Sequence, residues 1–286
     1  MEHLSLPQPA PAAPPDLPEL PDGARPRWPA WYGPAAFVVG LIGTLLVVGV
    51  LAAATGNTEE DSSPAFTIVS TLVQNAVLVA TAIVFASMVR RPRAWHFGLR
   101  STRLWPAVGW AAVGMVSFYV FAIAYTAIVQ PDAEQTVAED LGAEDGTLGL
   151  IAAGVMVMCV APIAEEFFFR GFFYGALRSR FRPIGAALIA GLLFGLIHFD
   201  FSGSDALLIL PPLAVLGVVF CLVYERTGSL YPPIALHALN NTIAYAAATD
   251  GDGALVCAVL GPAMIAGCVV VPWLRGRGRR PAPAPL

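Results

Sequence analysis

The stretch "APIAEEFFFRGFFYGALRSR", residues 161–180, decides how this chain is read. Two adjacent glutamates and an arginine stand in a run otherwise suited to lipid. On insertion scales a charged residue at the centre of a spanning helix costs roughly 2.5–3.5 kcal/mol. Such groups persist where they face a bundle interior, pair with one another or line a wet cavity, and they mark functional sites. On a helix Glu166 and Arg170 are i and i+4, so they pair on one face. Glu165 lies about 100° further round and needs another partner. A helix-packing ion pair therefore accounts for Glu166 and Arg170 but not for Glu165.

Outward from this stretch the chain is apolar. Of its 286 residues, 57% are hydrophobic and only 13% charged, where soluble domains carry about 25% charged residues. That composition indicates an all-α, polytopic membrane protein. Apolar segments of spanning length recur eight times, at Pro34–Ala54, Ala65–Val89, Trp105–Val129, Thr147–Leu177, Ile184–Phe199, Ala206–Tyr224, Pro232–Ala248 and Ala254–Trp273. A spanning helix takes about 20 residues, so the fourth segment is long enough to protrude. The expected fold is about eight transmembrane helices. Residues 1–32 read as a disordered, proline-rich cytoplasmic arm without a signal-peptide core. Residues 33–274 read as the bundle, and 275–286 as a basic, proline-rich cytoplasmic tail.

The connections set the topology. All 16 basic residues are arginine. They fall at 25–27, 90–103, 178–182, 226 and 275–280, apart from Arg170 inside the fourth segment. Acidic, arginine-free connections lie between these groups, including residues 130–146. The alternation predicts cytoplasmic termini and an even number of spans, in a cell (plasma) membrane protein of bacterial composition. Trp28, Trp31, Trp95, Trp105 and Trp273 lie near segment ends and read as interfacial anchors. The cysteines, Cys159, Cys221, Cys257 and Cys268, sit in apolar runs and read as small buried hydrophobes. No basic run interleaved with aromatics points to nucleic acid.

Two further polar clusters lie in later segments. "FGLIHFD" places His198 about 21 Å along its helix, and Glu165 lies about 18 Å from the same side. That match predicts that Glu165 and His198 meet. "SLYPPIALHALNN" places His237 and Asn241 on one face, with Asn240 on another. Interhelical hydrogen bonding is the plainer reading of this last cluster, and its residues read as shallower than Glu165.

Several chemistries lack their signatures. There is no H-E-x-x-H, no G-x-S-x-G or S-x-x-K, and no phosphate-binding G-x-x-x-x-G-K-[ST] loop, so no nucleotide partner is expected. "TDGDG" falls in an external loop, away from any membrane aspartyl dyad.

Glu165-Glu166-x-x-x-Arg170, Phe194-x-x-x-His198 and His237-x-x-x-Asn241, in that order on three late helices, resemble the motifs of the CAAX-protease and bacteriocin-processing family of intramembrane proteases (Rce1-type, or Abi). The flanks "HFGLR" (96–100), "RGFFYGALRSR" (170–180) and "GSLYPPIALHALNN" (228–241) resemble it too. The resemblance covers roughly residues 96–248, the expected protease core. It implies an eight-helix bundle enclosing a cytoplasm-facing polar cavity, and hydrolysis of a peptide bond in a membrane-associated, C-terminal or leader-peptide substrate. Carried over position by position, it implies that Glu165 and His198 activate water. His237 and Asn241 would stabilise the oxyanion, and Glu166 and Arg170 would hold the geometry.

Glu165, His198 and His237 could also bind a divalent metal such as zinc with an open fourth position, or act without one. The expected partners are a peptide or protein substrate at the membrane and the lipid bilayer. Two other readings remain. One is a non-catalytic scaffold or immunity factor of the same fold, whose mark would be a degraded motif. The other is a proton-coupled transporter, against which no inverted repeat is evident.

Overall fold

A computed structural model describes residues 28–58, 62–130, 137–198 and 207–277, with side chains as far as 274. Among these residues every regular element is helical. Eight helices coincide with the eight apolar segments. They are α1 (Tyr32–Thr55), α2 (Pro64–Ser87), α3 (Leu104–Val129), α4 (Gly146–Leu177), α5 (Pro183–Leu196), α6 (Leu210–Thr227), α7 (Tyr231–Ala248) and α8 (Ala254–Arg277). Six of them, all but α5 and α7, are long and apolar enough to cross a membrane. Helix α5 has only 14 residues. Helix α7 has 18 residues, but His237, Asn240 and Asn241 lower its hydropathy. Pro64, Pro183, Pro211 and Pro232 stand in first turns, where a missing N–H leaves no bond unmade, whereas Pro262 and Pro272 lie inside α8.

Lipid provides no hydrophobic drive between helices, so close packing has to hold them. Helices α5 and α6 pack glycine on glycine. A Cβ on Gly191 would stand 2.6 Å from the Ala214 carbonyl oxygen, and one on Gly217 would stand 2.8 Å from Gly191 Cα. This contact brings the α6 backbone within reach of α4.

Helix α4 is the axis of the site and is not α-helical throughout. Residues Met156–Val160 and Phe167–Tyr174 are π-helical, a form that recurs at functional sites. The second stretch buries Phe168, Phe169, Phe172 and Phe173 in the main core, together with Ala186, Ala190 and Phe194 of α5.

The arm preceding α1 contributes to that core. Trp28 is buried, its ring centroid 5.2 Å from Phe97 and 5.1 Å from Phe172. The expectation of an interfacial anchor is corrected there: Trp28 fills a space left over Gly175, where an added Cβ would meet its ring at 3.3 Å. Trp31, Trp105 and Trp273 are exposed at helix ends, as anchors should be. The remainder of the proposed arm, residues 1–27, lies outside the described residues, as do residues 59–61, 131–136 and 199–206 of the acidic connections and 278–286 of the tail. The four cysteines are free, three of them buried.

The segment "HFGLR" forms a short 3-10 turn, Ala94–Phe97, and ends on Gly98 with φ 86°. A Cβ there would meet the Tyr224 ring at 2.5 Å. Gly98 accepts a hydrogen bond from Leu230 N at 2.8 Å. Ser229 Oγ donates to the Arg100 carbonyl at 2.7 Å, and Arg100 Nε donates to the Gly228 carbonyl. These bonds fix the start of α7 inside the protein.

Candidate active site

Glu165 and Glu166 come from the α-helical stretch between the two π segments of α4, and Arg170 from the second π segment. Glu166 and Arg170 are completely buried, and their pairing follows the sequence spacing: Arg170 Nη1 lies 2.7 Å from Glu166 Oε1. Arg170 Nη2 donates to the Gly217 carbonyl at 3.1 Å. The guanidinium also lies over the rings of Phe194 at 4.5 Å and Phe220 at 5.0 Å, which offsets part of its desolvation. A fully buried ion pair does not in general stabilise a fold relative to apolar side chains. This one holds an orientation.

His237 completes the cluster. Its Nδ1 lies 3.0 Å from the same Glu166 Oε1, and its Nε2 lies 3.9 Å from Glu165 Oε2. The His237 ring stacks on Phe220 at 5.1 Å and meets Phe194 edge-on at 5.7 Å. Helix α7 starts locked against "HFGLR", and the depth mismatch read from the sequence does not keep His237 from α4. Its sixth residue beyond Tyr231 reaches Glu166. Glu166 orients the imidazole, as second-shell carboxylates do. Glu165 Oε2, Glu166 Oε2 and Arg170 Nε are buried without a hydrogen-bond partner. Buried polar atoms in that state are expensive outside functional sites.

His198, at the end of α5, is half-buried. Its Nδ1 lies 2.7 Å from the Phe194 carbonyl oxygen, and its ring is 4.9 Å from the Phe194 ring. Donating Nδ1–H to that carbonyl leaves Nε2 as the accepting nitrogen. No hydrogen bond or ion pair joins Glu165 to His198 directly. The Phe194 ring packs against both His198 and His237, with centroids 4.9 Å and 5.7 Å away.

Asn241 Nδ2 donates to the Val157 carbonyl at 2.8 Å. The reason lies in the first π segment, where Ala161 N–H bonds to the Met156 carbonyl, five residues back. In that register the Val157 carbonyl would face the nitrogen of residue 162, which is a proline and has no N–H. Asn241 supplies the missing donor. Asn240 faces another way: its Nδ2 reaches Asn241 Oδ1 at 3.4 Å, and its Oδ1 accepts from Tyr119 at 3.4 Å.

The trio Glu165, His198 and His237 does not close into a ligand set. Among the described residues no three His, Cys, Asp or Glu side chains stand where they could hold a metal ion together. His237 Nδ1 is taken by Glu166 and His198 Nδ1 by a backbone carbonyl.

Residues 147–243 match the family described as Type II CAAX prenyl endopeptidase Rce1-like. Over this segment, about a third of its length, the chain is similar to that family. The resemblance read from the three motifs therefore holds, and all three lie within the match. Curated relatives include the Bacillus subtilis protein named "Putative membrane peptidase YdiL", 34% identical over 83 residues, which are 29% of this chain and 32% of that protein. They also include "Membrane-embedded CAAX protease MroQ" of Staphylococcus aureus, 32% identical over 91 residues, 30% of this chain and 34% of that protein. Uncharacterised YyaK of Bacillus subtilis is 34% identical over 95 residues, 32% of each chain. The similarity thus spans about a third of the length of these relatives. No solved structure matches the chain.

The sequence reading missed Phe220 and Gly217. Neither is polar and neither belongs to a motif. The only available signal was "LGVVF", a glycine three residues before an aromatic on a helix expected to pack beside the site.

Proposed function

We propose that the chain is an intramembrane endopeptidase that hydrolyses a peptide bond of a membrane-associated substrate with a water activated by protein side chains. The observation that carries this reading is the buried cluster of Glu165, Glu166, Arg170 and His237, with a carboxylate oxygen of Glu165 left unpartnered. The names of the similar membrane proteases support it.

The chemistry follows from the positions of the groups. Glu165 Oε2 accepts a proton from a water, and His198 Nε2 accepts that water's second hydrogen and fixes its lone pair. The hydroxide oxygen bonds to the substrate carbonyl carbon, and the carbonyl π electrons move to oxygen. His237, protonated and held through Nδ1 by Glu166, turns Nε2–H toward that oxyanion; one well-placed donor is worth roughly 2.7–4 kcal/mol. Glu165 returns its proton to the amide nitrogen as the carbon–nitrogen bond breaks. Asn241 serves this scheme by holding the α4 backbone beside Glu165 rather than through its Val157-bound amide hydrogen. By the positive-inside rule the site opens toward the cytoplasmic leaflet, with both termini on that side.

The test is cleavage of fluorogenic C-terminal and leader-type peptides by the purified protein in nanodiscs, with products identified by mass. Wild type should cleave. Glu165→Ala should fall to background while keeping its melting temperature and monodispersity. Full activity in Glu165→Ala overturns the assignment, and no wild-type cleavage over a broad peptide panel overturns the reading.

A further inference from the structure

A cavity lined by none of the polar cluster's residues lies between α3, α7 and α8. Its volume is about 740 Å³, within the roughly 300–1,000 Å³ of small-molecule sites. Ala107, Ala111, Met115, Ala235, Leu239 and Ile265 form its walls, and Ser101, Thr102, Arg103 and Trp273 stand at its mouth. The wall is apolar and half open to the side. From Leu104 at the mouth to Met115 at the far end, α3 rises about 17 Å. That is close to half of a hydrocarbon core about 30 Å thick. The groove is therefore as deep as one leaflet.

The polar rim selects the headgroup. The hydroxyls there are used inside the protein: Ser101 donates to the Pro272 carbonyl at 3.0 Å, Thr102 to the Thr227 carbonyl at 3.0 Å, and Ser229 to the Arg100 carbonyl. Arg103 is exposed, and among the described residues no carboxylate pairs with it. Trp105 and Trp273, 78% and 52% exposed, place it at headgroup level. Basic pockets between membrane helices on this side suit anionic lipids.

We propose that this groove is a binding site for one anionic phospholipid, with an acyl chain between α3, α7 and α8 and the phosphate at Arg103. The site borders the start of α7, the helix that carries His237, so its occupant supports the position of that helix. The binding claim does not rest on the protease reading.

The test is native mass spectrometry of the full chain released from nanodiscs of equal phosphatidylglycerol and phosphatidylcholine. One phosphatidylglycerol should remain on wild type. Ala235→Phe and Ala112→Phe fill the groove and should reduce retention about tenfold. Arg103→Gln leaves the groove open and should lower the preference for phosphatidylglycerol over phosphatidylcholine about fivefold, the effect of removing one interfacial arginine. Melting temperatures identify any variant that has failed to fold. Because Arg103 is exposed, its variant tests the claim even if the filled grooves misfold. Equal retention in wild type and filled variants, or no headgroup preference in wild type, overturns the proposal. So does photo-crosslinking that finds residues 1–27 or a copurified polypeptide in the groove instead of lipid.

Discussion

Asn241 Nδ2 donates to the Val157 carbonyl across 2.8 Å, closing the gap that Pro162 leaves in the π-helical turn of α4. Asn241→Ala orphans that carbonyl, which costs about 1–3 kcal/mol. Pro162→Ala returns a backbone N–H to the same place. In the Pro162→Ala background the Asn241→Ala loss should therefore shrink well below its value in wild type. Unfolding of the four proteins of this cycle in detergent measures the coupling. Strictly additive losses would show that Asn241 does not serve the proline gap.

The same reasoning separates Arg170 from its partner. Arg170→Met leaves Glu166 buried without its guanidinium and should destabilise by about 3–5 kcal/mol. Glu166→Leu combined with Arg170→Met removes both charges and should recover most of that loss, though not activity, because His237 loses its orienting carboxylate. Arg170→Lys keeps the charge but cannot bond Glu166 and the Gly217 carbonyl together, so it should fold and cleave poorly. A double variant no more stable than Arg170→Met would falsify this account of the pair.

Much of this was legible in the sequence, for physical reasons. Eight apolar segments gave eight helices because lipid forces backbone bonds to be satisfied within each segment. The Glu166–Arg170 pair was legible because i,i+4 spacing is local. The contacts of His237 were not, because they depend on where α7 begins, and that start is set by hydrogen bonds to Gly98 and Arg100 about 130 residues earlier in the chain. Depth counting from helix ends favoured Glu165 with His198 and placed His237 too shallow. The π turns were hidden too: Pro162 signalled a broken bond, but not that Asn241 would repair it. Trp28 looked like an anchor because position along the chain does not tell whether a tryptophan turns outward or over a glycine.

His96 gives a pH response outside the spans. Its Nδ1 accepts from the Arg93 N–H at 2.9 Å. Burial, with the nearby Arg90 and Arg93 charges, lowers its pKa from 6.5 to about 4. The folded state therefore prefers neutral His96, while the unfolded chain takes up a proton below about 6.5. The stabilisation is complete above that pH and is lost as pH falls from about 6.5 through about 4. His96→Asn keeps an acceptor for the Arg93 N–H without titrating. The variant's melting temperature should fall less than that of wild type between pH 7 and pH 4. Identical pH profiles would remove His96 from the acid response.

Metal removal gives the last prediction. The three candidate ligands do not converge. His237 has one nitrogen on Glu166 and the other 3.9 Å from Glu165, while His198 holds the Phe194 carbonyl. The Phe194 ring packs against both imidazoles, and drawing them with Glu165 onto one metal would disturb that packing. Cleavage should therefore survive exhaustive chelation, and the active protein should carry far less than one equivalent of zinc. Phe194→Ala removes that packing and should raise zinc uptake at the cost of stability. Loss of wild-type activity on chelation, restored by one equivalent of zinc, would mean that the two histidines close on a metal and that Glu165 works beside it.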